Sequence, residues 1–226
     1  MANQSGNAYA LTMLCPILGG VPPDAPSGMA GQTYTARLRN VLQTLRMNEE
    51  SPMAQVPNTY LCRFWVLSDV PYQGKPAFLE HLKSDYLVFS SNFHGELEPY
   101  LEGMWNALKD GVLAILWHCV GHETVRDAAS FIAYVKKCQV TTTFFFNGST
   151  DEPLAEQLKN LYLKQEFSKF AFENQGKSAQ ELQEAFRGFI QRTNPENLAG
   201  PTWKPGAYHL DRVDAEPETA AGAASK

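Results

Sequence analysis

The chain has 226 residues, of which 44% are hydrophobic and 12% aromatic, and a net charge of -5 at neutral pH. This length suits one domain with a sizeable core, and the lack of a Lys/Arg run excludes nucleic acid and anionic membranes as expected partners. No apolar stretch approaches the roughly 20 residues of a membrane span, and the first residues do not resemble a signal peptide. We therefore expect a cytoplasmic protein with no membrane span.

The first predicted unit is a strand, a helix and a second strand. Residues 9–17 predict a strand that a Pro/Gly-rich loop ends, and residues 33–47 predict a helix capped by Thr33 or Thr35. Residues 59–68 predict the second strand. Its alternation places Tyr60, Cys62, Phe64 and Val66 on one face and Leu61, Arg63, Trp65 and Leu67 on the other.

A second unit of the same kind follows. Residues 86–91 predict a strand that breaks at a turn over residues 92–95, and a helix begins at once with Glu96 and Glu98 in the region that favours negative charge. A break near residues 109–111 separates this helix from an apolar segment, 112–119. A helix over 125–137 and a strand over 139–147 complete the unit.

The order β-α-β-β-α-β predicts an α+β fold of the ferredoxin-like type, an antiparallel sheet with helices on one face. Two additional C-terminal helices are predicted over 153–173 and 178–192, the second with a capping box of Ser178 and Glu181. Residues 1–193 form the single predicted domain, and 194–226 an extended or disordered tail. A second copy of the sheet or the C-terminal helices would cover the bare face.

The four cysteines, Cys15, Cys62, Cys119 and Cys138, lie in apolar surroundings and form no C-x-x-C pair. Such residues are typically buried free thiols, and a structural zinc site would require paired spacing. His118 and His122 are four residues apart, but Gly121 is expected to end the helix between them, so no metal site is predicted.

Several segments resemble one family. YLCRFWVLSD followed by DYLVFSSNFHGELEPYL, together with LTMLCPI, ILWHCVGHE and FIAYVKKCQVTTTFFFNG, is similar to segments of dimeric α+β barrel proteins that are related to dye-decolorising peroxidases. The resemblance covers about residues 9–170. It implies the dimeric α+β barrel type of fold, a homodimer and an oxidative, peroxidase-like activity on an apolar substrate that can carry a carboxylate. If haem is bound, His94 or His118 would be its axial ligand.

Two departures limit this resemblance. The Gly-x-x-Asp-Gly motif that supplies a distal carboxylate in haem-binding members is absent, and the Asp of the family's SNFDG segment is replaced by His94. The family's fold can therefore be expected here, but its peroxidase chemistry cannot be transferred residue by residue.

Three residues are the candidate catalytic groups: Arg63, Asn92 and His94. Arg63 lies among apolar neighbours, so it either clamps a carboxylate of a substrate or pairs with Glu96, Glu98 or a backbone carbonyl group. Asn92 and His94 belong to the predicted turn. They serve either the turn itself or catalysis, with His94 as a general base or an iron ligand.

The functional alternatives remain open on these residues. One is an oxidative small-molecule enzyme, and a second is a ligand-binding or pathway-accessory barrel without chemistry of its own. The third is a cofactor-free isomerase, cyclase or monooxygenase with a histidine base. No nucleophile elbow, phosphate loop or close carboxylate pair points to another class of enzyme.

Overall fold

A computed structural model describes residues 3–23, 31–70, 72, 74–75, 81–149 and 151–207. Its centre is a four-stranded antiparallel sheet in the order β1-β2-β4-β3, an α+β architecture as predicted. The strands are β1 (Gln4–Ser5), β2 (Ala8–Pro16), β3 (Thr59–Leu67) and β4 (Tyr86–His94). β4 pairs with both long strands, β2 and β3, over most of its length.

Three helices cover one face of this sheet: α1 (Tyr34–Gln43), α2 (Leu97–Leu116) and α3 (Ala128–Cys138). Alternate residues of β2 and β4, such as Leu11, Phe89 and Phe93, point into one apolar core with them. We call this the inner face, and the strands with α1–α3 the sheet body. The outer face carries the other alternate residues, among them Ala8, Ala10, Leu61, Arg63, Trp65, Ser90 and Asn92.

The helix ends follow from local chemistry. Thr33 caps α1 by accepting a hydrogen bond from the backbone N–H of Ala36, and Asp127 caps α3 with a capping box to Ser130. The predicted break in the next helix is a kink at Leu108 inside the continuous α2. The apolar segment that was expected to be separate is therefore the second half of α2.

Two further helices, α4 (Leu154–Glu173) and α5 (Ala179–Thr193), form what we call the C-terminal hairpin. Its own small core is a group of four aromatic rings: Phe167, Phe170, Phe186 and Phe189. The predicted capping box of Ser178 and Glu181 begins α5. The buried Lys159 joins the hairpin to the segment after it, because Nζ donates to the carbonyl oxygens of Thr193 and Pro201, each at 2.7 Å.

The structure confirms the antiparallel α+β class but not the ferredoxin-like set of strands. The expected strand over 139–147 is wrong, since this segment makes one isolated antiparallel bridge, Gln139 to Met13. The short β1 takes part of the place beside β2 instead, so the number and order of strands differ from the prediction. Among the described residues, no helix has the length and hydropathy to cross a bilayer.

The tail divides at residue 207. Residues 194–207 are described and make turns with a cis Gly200–Pro201 peptide bond, whereas 208–226 lie outside the described residues. A helical turn that was considered for 78–83 also lies largely outside them. All four cysteines are free thiols. Cys15 and Cys119 are fully buried as predicted, whereas Cys62 and Cys138 are only partly buried.

Candidate functional site

A cavity of about 310 Å³ lies against the outer face of the sheet. The sheet supplies Ala8, Leu61 and Asn92, and the start of α4 supplies Leu154 and Gln157. The segment before α4 closes it with Phe145, Asn147 and Ser149, and Tyr60 completes the lining. Its walls are mostly apolar with a few amide and hydroxyl groups, which is typical of sites for small organic molecules.

A β-bulge brings Tyr60 into this cavity. Thr59 pairs with Phe93 and Leu61 pairs with Asn92, so Tyr60 is an extra residue in β3 without a partner in β4. A bulge of this kind re-aims the side chain at the inserted residue. The sequence placed Tyr60 on the same face as Cys62, and this is corrected: its hydroxyl group meets His94, which is paired with Ala8 at the end of the outer face.

The hydrogen bonds of Tyr60 fix the tautomer of His94. The Tyr60 hydroxyl oxygen lies 3.0 Å from the carbonyl oxygen of Glu152 and 3.0 Å from Nδ1 of His94. A carbonyl oxygen only accepts, so the single hydroxyl proton goes to Glu152, and Nδ1 of neutral His94 must then donate to Tyr60. Nε2 of His94 is left as a lone-pair acceptor and has no hydrogen-bond partner among the described residues.

Asn92 contributes an unused amide. It lies on β4 opposite Leu61 and Ala10, and its half-buried side chain makes no hydrogen bond within the described part of the chain. A carboxamide both donates and accepts, and leaving it unpaired in a cavity is unfavourable unless water or a ligand satisfies it. Asn92 is therefore the polar group in the cavity that we expect to bind a ligand.

The residues just before and at the start of α4 influence the pKa and the hydrogen bonding of Tyr60. The carbonyl oxygen of Glu152 also accepts from Nε2 of Gln157 at 2.8 Å. The carboxylate oxygen Oε2 of Glu152 is buried and has no hydrogen-bond partner among the described residues. Burial raises the pKa of Tyr60, and the negative charges of Asp151 and Glu152 raise it further. Tyr60 therefore keeps its proton at neutral pH and remains a hydrogen-bond donor.

Of the three predicted catalytic residues, only Asn92 lines the cavity. His94 lies at the same end of β4 and is connected to the lining through its hydrogen bond to Tyr60, whereas Arg63 lies apart. Both Asn92 and His94 belong to the strand, and the turn comes at Gly95, whose φ of 97° favours glycine. Arg63 shares the outer face but is exposed. Its guanidinium group lies 5.7 Å from the centre of the Trp65 ring, and it does not line the cavity.

The expected burial of Arg63 was therefore wrong, for a physical reason. β3 is an edge strand, and its outer face is open beside Leu61 and Trp65, so a charged side chain there remains in water. The two acidic partners considered for it bind elsewhere: Glu98 pairs with Lys136, and Glu96 accepts from Gln4.

The two histidines considered for haem lie at opposite ends of the sheet body. His94 is paired with the first residue of β2, and His118 precedes Cys119, which bridges to Ile17 beyond its last residue. Nine residues of extended chain correspond to roughly 30 Å, so the two side chains cannot serve one cofactor. His118 is buried against the rings of Tyr34 and Trp117, and burial lowers its pKa.

This arrangement does not fit haem. The His118 side chain is buried, with the rings of Tyr34 and Trp117 against it, and no cavity for a macrocycle is described beside it. The cavity near His94 has no cationic lining residue to pair with propionate groups. His118 and His122 each bind a backbone carbonyl group through Nδ1. Within the described residues, no three His, Cys, Asp or Glu side chains are grouped so that they could hold a metal ion.

Four polar lining residues were not predicted as site residues: Tyr60, Asn147, Ser149 and Gln157. No local signal indicates them, since the bulge at Tyr60 depends on pairing with β4 and the others reach the sheet only through tertiary packing. Comparisons with family models, with curated proteins and with solved structures found no significant match to the chain.

Proposed function

We propose that the protein binds a small neutral molecule in the outer-face cavity and transfers a proton on it without a cofactor. The observation that carries this proposal is the unpaired Asn92 carboxamide, which lines the cavity together with Tyr60, the hydrogen-bond partner of His94. Apolar walls favour an aromatic or aliphatic body, and Asn92 favours a carbonyl oxygen or an amide on it. A carboxylate is disfavoured because no cationic side chain lines the cavity.

In this proposal each polar residue has a separate task. The amide N–H of Asn92 donates to the ligand's carbonyl oxygen and stabilises negative charge that develops there. Tyr60 lines the cavity and holds the His94 ring by accepting from Nδ1, so the proposal requires a ligand that extends past Tyr60 to His94. Nε2 of His94 then accepts a proton from the carbon next to that carbonyl group and returns a proton to the ligand. This corresponds to the cofactor-free, isomerase-like alternative, with His94 as its base.

Deuterium exchange in the presence of model ligands tests the proposal. Saturation-transfer NMR against a panel of small neutral aromatic ketones and amides identifies binders, and their carbonyl-adjacent C–H groups are then followed in D₂O. The intact protein should accelerate exchange, and His94→Gln should abolish the acceleration while it preserves binding. Asn92→Ala should weaken both, whereas Ser90→Ala, on the same strand and face but outside the cavity lining, should change neither.

The non-catalytic ligand-binding function is the second candidate, and the neutral character of the lining favours it equally. It predicts binding that depends on Asn92 and no exchange above the solvent rate in any variant. Binding that is the same in Asn92→Ala and the intact chain would contradict both candidates. The oxidative, peroxidase-like activity implied by the resemblance stays a prediction, and a Soret band in the purified protein is its direct test.

Assembly as a homodimer through the outer face is a further part of the proposal. Leu61 is 65% exposed and Trp65 39% exposed on this face, and a second sheet would bury them. The dimeric α+β barrel type of fold is supported by the βαβ connection with β4 inserted between β2 and β3, and by the bridge at Gln139. Sedimentation of Trp65→Glu beside the intact chain tests it, since a dimer through this face should dissociate.

A further inference from the structure

A second concave surface lies on the inner side of β3, between α1 and the kinked α2. This α1–α2 groove has a volume of about 380 Å³, within the range of small-molecule sites. Its wall is mostly apolar and includes three methionines, Met47, Met53 and Met104. Methionine side chains are flexible and adapt to ligands of different shape, so this wall can fit closely around an apolar molecule.

A void of about 40 Å³ lies in the core beneath this groove, and every residue that lines it is apolar. Four residues line both the void and the groove: Phe64, Met104, Val112 and Ile115. These shared side chains form the wall between the two spaces. Water does not favour an apolar void of this kind, whereas a hydrocarbon chain that reaches it gains contacts with the surrounding side chains.

The kink of α2 lies on this groove. Leu108 has φ -132° and ψ 22° at the kink, and Gly111 follows about one turn later. Both residues line the groove. A Cβ atom at residue 111 would meet no atom within 4 Å apart from the adjoining backbone of its own helix. The groove is therefore open at this point because residue 111 has no side chain.

The polar residues of the groove are concentrated at one end. Gln43, Arg46 and Ser51 come from the end of α1 and the segment after it, whereas the residues shared with the void come from β3 and α2. Nη1 of Arg46 donates to Glu50 at 3.0 Å, and its other N–H groups have no partner within the described chain. Arg63 also borders the groove, but its guanidinium group lies on the outer face.

We propose that the α1–α2 groove binds a single-chain fatty carboxylate, with its hydrocarbon chain directed towards the core void and its carboxylate at Arg46. A molecule with one polar end matches a groove that is polar at one end and apolar along the rest. The groove and the outer-face cavity lie on opposite faces of the sheet, so this site is independent of the proposed function.

Cys62 reports on occupancy because it lines the groove, whereas Cys138 lines a separate cavity. The experiment measures the alkylation of both thiols by N-ethylmaleimide in the full chain, with octanoate, decanoate or dodecanoate added below the concentration at which each forms micelles. Decanoate at about ten times its Kd should slow Cys62 alkylation about ten-fold and leave Cys138 unchanged, because Cys62 reacts only in the free chain. Each pair of added CH₂ groups should tighten binding roughly ten-fold.

Gly111→Leu tests whether the chain lies in the groove. The new side chain fills the open space at residue 111, so decanoate should no longer protect Cys62. Leucine also favours a helix more than glycine does, so the thermal midpoint should not fall. The matched control is Gly188→Leu, at an open helical position in α5, and it should keep full protection.

Arg46→Gln tests the position of the carboxylate. It should weaken the binding of decanoate about three-fold, because exposed ion pairs are weak, and leave the binding of 1-decanol unchanged. Equal weakening of both ligands would overturn the placement of the carboxylate at Arg46.

Four outcomes would overturn the site itself. Decanoate that leaves the Cys62 rate unchanged does not bind in the groove, and equal protection of Cys138 would show unspecific adsorption. Protection that persists in Gly111→Leu would place the ligand elsewhere. A Cys62 thiol that does not react in the ligand-free chain would show that another part of the protein or a second copy covers the groove.

Discussion

The sheet body and the C-terminal hairpin are stabilised in different ways. The sheet body has one continuous core, in which Phe93 is fully buried and stacks on Tyr100 with ring centres 3.6 Å apart. The hairpin has four phenylalanine rings, of which Phe170 and Phe189 are buried and Phe167 and Phe186 exposed, and one buried cation, Lys159. The cavity lies where the two meet, so the walls of the candidate site depend on both.

The sheet body and the C-terminal hairpin therefore need not be equally stable. Apolar burial scales with the area removed from water, and the sheet body removes far more of it than a two-helix hairpin. The contacts between them include the Tyr60 to Glu152 hydrogen bond and the walls of the cavity itself. A ligand that bridges these walls should therefore stabilise the hairpin against the sheet.

The largest expected effect is in the sheet body. Phe93→Ala should lower the free energy of unfolding by about 3–5 kcal/mol, because it removes a buried ring and leaves a cavity. Urea unfolding followed by tryptophan fluorescence measures it. The control Phe144→Ala, at a side chain 80% exposed, should stay within about 0.5 kcal/mol of the intact chain. Equal losses in the two variants would contradict the described core.

A smaller effect is expected at Lys159 in the hairpin. Lys159→Met leaves the carbonyl oxygens of Thr193 and Pro201 without their donor and should cost about 2 kcal/mol. Hydrogen exchange of the amides in α4 and α5 measures it, with the exposed Lys164→Met as control. If the hairpin amides lose protection while those of β4 keep it, the two parts unfold separately. Equal loss in both would show that the sheet body and the hairpin unfold as one cooperative unit.

The start of α5 should give a loss of about 1 kcal/mol. Ser178→Ala removes the side chain that caps the backbone N–H of Glu181 and half of the capping box. Thermal unfolding followed by circular dichroism measures it. Ser168→Ala, at an exposed serine within α4, is the matched control and should be nearly neutral. A larger loss at Ser168 than at Ser178 would be inconsistent with the described cap.

The smallest expected effect is the pH dependence that His118 gives to the sheet body. Burial lowers the pKa of His118 below its ordinary 6.5, with Arg37 and His122 acting in the same direction. The unfolded chain therefore binds a proton at a pH where the folded chain does not, and the free energy of unfolding falls as the pH drops below about 6.5. Urea midpoints at pH 5.5 and 7.5 measure this slope, which His118→Gln should flatten. An identical slope in the variant would assign it to other groups.

Sequence patterns predicted the parts of the fold that local rules decide. Thr33 and Ser178 cap their helices as predicted, and the alternation in β3 correctly separated Cys62, Phe64 and Val66 from Leu61, Arg63 and Trp65. A cap or an alternation involves neighbours within a few residues, so it is visible in the sequence without knowledge of distant contacts.

The parts that were not predicted depend on distant contacts. Residues 139–147 have strong strand propensity, but only Gln139 bridges to β2 because β1 occupies the neighbouring position. The bulge that aims Tyr60 at His94 exists only in the pairing with β4. Asn92 and His94 were recognised as a pair of interest, but the strand was predicted to end at residue 91, whereas it continues to His94. Of the predicted turn over residues 92–95, only Gly95 is the turn itself.

The exposed Arg63 has a consequence for how the chain behaves at high concentration. β3 is a sheet edge whose free N–H and C=O groups can pair with another strand, and its sequence TYLCRFWVL is strongly β-forming. A charge at its centre, between Leu61 and Trp65, opposes the self-stacking by which such edges grow into fibrils. Arg63 thus acts as an aggregation gatekeeper, and Arg63→Val would create an uninterrupted apolar run and a chain prone to precipitate.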